Sequence, residues 1–273
     1  MNPIPRFLTF ATTAGLLLMA DHSFAAPPAA TDPDEELNNG EDFTRPPARW
    51  DLSYQFQDKS NDVEQNNFTL RRDQPFLLGD GWKLATRVDM PFVQNDKTSR
   101  DNPGGLTHVG TGDVLLQAIL IDSLTDRFAY GAGARALFPT ANEDQFGAGK
   151  YQIIPTIGAR EKIPELSVGS FTEIIVRYDT DVGGYGGRSH IKQLQFSPTF
   201  NIALPNRWFV TIFPSQDFVV NLQDNDKWFV PADILIGRNL TKNTVATLEL
   251  SVPIVKQYIL YNFKLEAHLS FSF

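Results

Sequence analysis

The end of the chain has a period of two. Ile259, Tyr261, Phe263, Leu265, Ala267, Leu269, Phe271 and Phe273 alternate with Leu260, Asn262, Lys264, Glu266, His268, Ser270 and Ser272. Side chains point to opposite faces at successive positions of a strand, so this segment has one apolar and one polar face. A helix would spread the same residues around its circumference. The segment is also much longer than the roughly 5–6 residues of an ordinary strand in a soluble sheet. It is long enough to cross a bilayer, which takes about 9–11 tilted residues.

Eleven further segments share the pattern, from Trp50–Phe56, Phe68–Phe76 and Trp82–Phe92 through to Trp228–Ile236 and Ala246–Ile254. Their connections alternate in length, with Val255-Lys256-Gln257 as the exception. Short turns such as Gly79–Gly81, Asp122–Asp126, Glu161–Glu165, Pro205–Arg207 and Arg238–Asn243 face longer Gly-, Asn- and Asp-rich loops such as Gln94–His108 and Thr140–Gly149. Trp50, Trp82, Phe92, Phe128, Phe138, Tyr178, Trp208 and Trp228 sit near segment ends, where a membrane barrel carries its aromatic girdles. The expected fold is all-β: a transmembrane antiparallel up-and-down β-barrel of about twelve strands, closed because an open edge in lipid leaves backbone groups unpaired. Pro155, Pro198, Pro214, Pro231 and Pro253 fall inside these segments, where a missing donor marks bulges or strand ends. An even strand count puts both termini on the short-turn, periplasmic side.

The N-terminus reads as an address. Phe7–Ala20 is apolar, follows Arg6 and precedes Ser23-Phe24-Ala25-Ala26, the plan of a signal peptide ending at residue 25. Residues 26–47 are Pro-rich and acidic, a flexible periplasmic leader ahead of a barrel at 48–273. Of the chain's net −8, the leader contributes −5, from six acids and Arg45. That balance excludes a nucleic-acid partner, which calls for a basic surface. The absence of cysteine removes thiol chemistry and disulfides. A bacterial outer-membrane location follows, with lipid as the outer partner.

If the apolar set faces lipid, the opposite set lines the bore. It includes Arg87, Asp113, Arg135 and Arg160, then Glu173 and Arg177, then Asp233, Glu249, Lys264, Glu266 and His268. Buried charges of both signs require partners, so cross-strand ion pairs are expected, some of them along a permeation path for a small-molecule solute. Twelve strands imply a narrow passage, plugged by the leader or an inward-folded loop. The alternatives are a structural or adhesion barrel acting through its outer loops and a barrel lipid hydrolase. For the latter, His108, Ser189-His190 and His268 with Ser270 are the available groups, and none forms a compact Ser-His motif. No catalytic residue, cofactor or metal site is assigned.

Two passages resemble a known family. Val109-Gly110-Thr111-Gly112-Asp113-Val114 and Ala136-Leu137-Phe138-Pro139-Thr140 are similar to the Gly-x-Gly-Asp and Leu-x-Pro-Thr-Gly signatures of the outer-membrane phenol-degradation meta-pathway transporter-like barrels, with Ala141 replacing the final Gly. The resemblance spans about residues 48–273. It implies a barrel associated with uptake of hydrophobic or aromatic compounds. The terminal aromatics Phe271 and Phe273 are similar to the signal by which barrel-assembly machinery recognises its clients. That implies assembly-complex and periplasmic-chaperone partners.

Overall fold

The computed structural model describes residues 38, 40–59, 63–215 and 217–273. The expected signal peptide and the first part of the leader lie outside the described residues. Fourteen strands run in chain order: β1 Arg49–Asp58, β2 Glu64–Gly79, β3 Trp82–Asn95, β4 His108–Thr111, β5 Val114–Ser123, β6 Phe128–Phe138 and β7 Lys150–Lys162. They continue with β8 Phe171–Gly184, β9 Lys192–Ala203, β10 Trp208–Ile212, β11 Phe218–Asn221, β12 Lys227–Asn239, β13 Thr244–Lys256 and β14 Phe263–Ser272. β4 and β5 both pair with β3, and β10 and β11 both bridge β9 and β12. Each of these couples is one interrupted stave, so the wall has twelve staves. β1 pairs β14 and β12 pairs β13, both antiparallel, which closes the sheet on itself. Among the described residues no helix is long and apolar enough to cross a membrane.

The alternation read from the sequence is the alternation of the wall. In β7, Gln152, Ile154, Thr156 and Arg160 are buried, while Tyr151, Ile153 and Ile157 are exposed. Two aromatic rims bound the apolar outer band. Trp50, Trp82, Phe128, Phe271 and Phe273 are exposed at the end holding the chain terminus, and Phe68, Phe92, Tyr151 and Trp228 are exposed at the other. Phe196 and Trp228 stack with centroids 6.4 Å apart and planes 6° apart. Arg72 faces outward and lays its guanidinium 5.4 Å from the Trp50 ring and 4.3 Å from that of Phe273. Rings give a cation at the interface a partner that lipid cannot.

Several boundaries differ from expectation for identifiable reasons. The last strand starts at Phe263, not Ile259. Tyr261 leaves the lipid face and is 1% exposed, with its hydroxyl 2.9 Å from Asp217 Oδ2 and 2.8 Å from Ser251 Oγ. A phenol buried in the bore finds partners there, which the lipid face does not offer. The short turn expected at Glu161–Glu165 is the longer connection 163–170, held by Ile163 N–H to Ser170 O at 2.8 Å. The loop expected over Gln216–Asp226 contains β11. Of the prolines, Pro231 sits at a register shift and Pro214 in the break between β10 and β11.

Ile234 lies on the outer face near the middle of β12, half exposed and paired with Leu250 and Ile212. Ile234→Lys should cost about 2–4 kcal/mol in a bilayer, because a cation at mid-depth has no partner there. Urea titration of the barrel in vesicles measures it. A change within about 0.5 kcal/mol, the usual size for a water-facing site, would mean this face is not in lipid.

Candidate functional site

The bore holds two inward elements. The first is Asn38 with residues 40–47, from the end of the expected leader, which enters from the rim carrying the 163–170 connection. Asn38 Nδ2 donates to Gly169 O at 2.5 Å and also bonds Asn201. Asp42 Oδ1 accepts from the Thr44 N–H at 2.9 Å and from its hydroxyl at 2.6 Å, closing an Asx turn with Arg45 N–H to Asp42 O at 3.0 Å. Residues 40–47 are therefore a folded plug against the wall, one of the two plugs the sequence allowed, and the leader is not free through Pro47.

Phe43 fixes its depth. Gly131 of β6 and Gly158 of β7 pair directly across the sheet at an inward position. A Cβ on either would lie 3.0 Å and 2.9 Å from the Phe43 ring, so the absence of side chains is what makes the slot. The plug's polar groups are met by the wall. Arg160 Nε lies 3.0 Å from Asp42 Oδ2 and 3.1 Å from Thr44 Oγ1, and Phe43 N–H donates to Glu173 Oε2 at 3.4 Å. Glu41 Oε1 lies 3.1 Å from Arg49 Nη2 and 4.0 Å from Arg71 Nη1.

The wall beside the plug is a chain of ion pairs in register across β14, β1, β2 and β3. Arg49 and Arg87 share Asp73 at 2.8 and 2.6 Å, and Arg71 grips Asp89 at 2.8 and 3.2 Å. His268 sits between Asp51 and Glu266, 3.0 Å from each, and Gln55 donates to Glu266 at 2.8 Å. The second inward element is the break after β10. It brings Asp217 to Lys264 Nζ at 2.8 Å, while Glu249 lies 2.7 Å from the same ammonium. Ser215 hydrogen-bonds Asp233 in the same break. Between plug and wall lies a cavity of about 120 Å³ lined by charged residues together with Ala85, Ile119, Ile175 and Leu235.

Of the expected lumen residues, Arg87, Arg135, Glu173, Arg177, Glu249 and His268 line this one cavity. Arg160 holds the plug, Lys264 and Asp233 tie down the β10–β11 break, and Glu266 buttresses His268. Asp113 serves a different purpose. It is buried at the loop end, where it accepts from the Ala141 N–H at 3.1 Å and the Ala148 N–H at 2.7 Å. Thr140 Oγ1 accepts from Val114 N–H at 2.9 Å and donates to Gly112 O at 3.1 Å. A Cβ on Gly110 would stand 2.2 Å from Asn142 Oδ1, in the same joint. The two passages that carry the family resemblance thus interlock and clamp the 139–149 loop.

Arg49, Asp51, Arg71 and Asp73 are wall residues the sequence reading did not single out, because the polar run Arg71-Arg72-Asp73-Gln74 blurs the alternation of β2. Glu41, Asp42 and Phe43 were assigned to a leader. Their only local signal is an aromatic placed inside an acidic stretch. Among the described residues, no serine hydroxyl bonds a histidine. His108 meets Glu143 at 2.8 Å, His190 meets Asp181 at 3.0 Å, and both ring nitrogens of His268 face carboxylates. Ser270 bonds Asp51, not His268. Glu41, Asp51 and His268 bring their polar atoms within 4.8 Å of one another, but Arg49 already supplies the cation beside Glu41.

No family model matches the sequence, and a search of curated protein sequences finds no match. Solved structures do match. An outer-membrane channel of the COG4313 group from Pseudomonas putida F1 superposes with a TM-score of 0.64 at 15% identity, covering 89% of this chain and all of that one. The NanC porin superposes at 0.53 with 12% identity, covering 82% of this chain and 98% of its own. At these identities the likeness is one of fold: the chain has the barrel fold of outer-membrane channels.

Asp113→Ala should free the 139–149 loop while leaving the barrel closed. Limited proteolysis of the folded protein should then cut within 139–149 at least several-fold faster than in the unsubstituted chain, with the barrel fragment intact. Equal cutting rates would remove the clamp assignment.

Proposed function

We propose that the chain is a passive outer-membrane channel for small molecules whose bore is narrowed by its own N-terminal segment. One observation carries the reading. A closed wall with an apolar, aromatic-banded exterior encloses a charged bore in which residues 40–47, a stretch of chain separate from the strands, are seated on the wall and leave a cavity of about 120 Å³ beside them. A barrel built only for strength or adhesion has no need of a segment of chain seated in a glycine slot of its bore. The first strand begins at Arg49 and the last ends at Ser272 on the short-turn side, which in this reading is the periplasmic side. Membership of the phenol-degradation meta-pathway transporter-like family belongs to the same reading, supported by the interlock of the two signature passages.

Planar-bilayer recording of the refolded chain tests it. The full chain should show small conductance steps, and deletion of residues 26–47 should raise the conductance at least several-fold. Phe43→Ala should do the same in part, by emptying the Gly131–Gly158 slot. A sealed bilayer both with and without residues 26–47 would refute the channel, and a conductance indifferent to the deletion would refute the plug.

Barrel-assembly machinery and periplasmic chaperones are the partners this reading requires. Phe273 N–H donates to Ala48 O at 3.1 Å where the last strand meets the first. Deletion of Phe273 should sharply lower the outer-membrane level of the folded form, assayed as the fast-migrating band on unheated gels. An unchanged level would remove its role as an assembly signal.

A further inference from the structure

Arg177 is a buried group of the bore that the wall answers only in part: Glu173, four residues back on β8 and lining the same cavity, is its acidic neighbour, and Glu173 Oε2 accepts from the Phe43 N–H. Arg177 is 3% exposed, faces the cavity, and neither Nε nor Nη1 has a hydrogen-bond partner. A guanidinium carries five N–H donors and keeps its charge at any relevant pH, so burial with three of them unanswered, one on Nε and two on Nη1, is costly. Its neighbours add to the cost. Arg87 and Arg135 line the same cavity, in register with Gln117 between them on adjacent strands, and Arg177 follows across Thr156. Arg87 is answered by Asp73, and Arg135 Nε donates to Gln117 Oε1 at 2.7 Å. The plug's own carboxylates are committed elsewhere, Glu41 to Arg49 and Asp42 to Arg160.

We propose that this cavity is a binding site for a small carboxylate with a compact apolar body, its carboxylate gripped by Arg177 with Arg135 and Arg87 beside it. The charge follows from the guanidinium fork, whose paired donors match a carboxylate. The apolar body follows from Ala85, Ile119, Ile175 and Leu235, which line the same space in an otherwise charged bore. The size follows from the volume: about 120 Å³ is close to the roughly 150 Å³ of a cavity that accepts benzene, so the body is one ring or a branched chain of similar bulk. The inference deepens the channel reading and rests on it only for the ligand's being a transported solute.

Calorimetric titration of the refolded chain in micelles with sodium benzoate, and with neutral benzamide of the same shape, tests the site without requiring conductance. Benzoate should bind at least tenfold more tightly than benzamide. Arg177→Gln should lower benzoate affinity at least tenfold and leave benzamide unchanged. Arg177→Lys, which keeps the charge but loses the fork, covers the case in which the glutamine variant does not fold, and should still weaken benzoate several-fold. No binding of benzoate, equal binding of the two probes, or benzoate affinity unchanged in a folded Arg177 variant would overturn the site. A barrel that binds benzoate through Arg177 yet passes no current would defeat the channel reading alone, and one that conducts without preferring benzoate would defeat the site alone.

Discussion

Everything in this molecule depends on the pairing of backbone amides around a closed ring. In hydrocarbon an N–H or C=O without a partner costs several kcal/mol, so a sheet that enters the bilayer cannot have an edge. The β12–β13 and β1–β14 ladders meet that condition, β5 pairs β3 and β6, and β10 and β11 each bridge β9 and β12, while the short β4 at the loop end pairs β3 alone. Once the ring is closed, each strand has one face in lipid and one in the bore. The sequence must then alternate, and the polar half of the alternation is confined with itself.

That confinement accounts for the pattern of charges. Removing one member of a buried ion pair is far more damaging than the pair is stabilising, so such pairs fix geometry more than they add stability. Here they fix two things. Asp73, shared by Arg49 and Arg87, ties β1, β2 and β3 at one level. Arg160 and Arg49 hold the acids of the plug, and Lys264 draws the β10–β11 break inward through Asp217. The wall is rigid where its charges answer one another, and it is anchored to both inward elements by charges. Arg177 stands outside this scheme.

Strand count, closure, aromatic rims and the inward orientation of the charged set were all legible in the sequence, because period-two alternation is a local signal that closure makes obligatory. The remainder was hidden by effects that act across the chain. The run Arg71-Arg72-Asp73-Gln74 reads as noise until Arg72 is seen lying against Trp50 and Phe273 at the rim, with its two neighbours inside. Tyr261 keeps the phase of the last strand by residue type and breaks it by hydrogen bonding. The leader was one of the two plugs expected, but where it seats was not legible, since Pro and acidic residues mark a segment with no core of its own. Its core is the Gly131–Gly158 slot, on strands far away along the chain. Asp113 was placed correctly on the inner side, but its partners on the 139–149 loop were invisible locally.

The plug runs directly into β1 at Arg49, so it never leaves the neighbourhood of its slot. In effect it is a ligand at fixed local concentration, on the order of millimolar for a short flexible tether. Any solute that must move it aside competes against that concentration, not against an empty bore. On the channel reading, the length of chain between the slot and the first strand sets the solute level at which the passage responds. A few residues inserted before Arg49 would retune that level without altering a single contact in the wall.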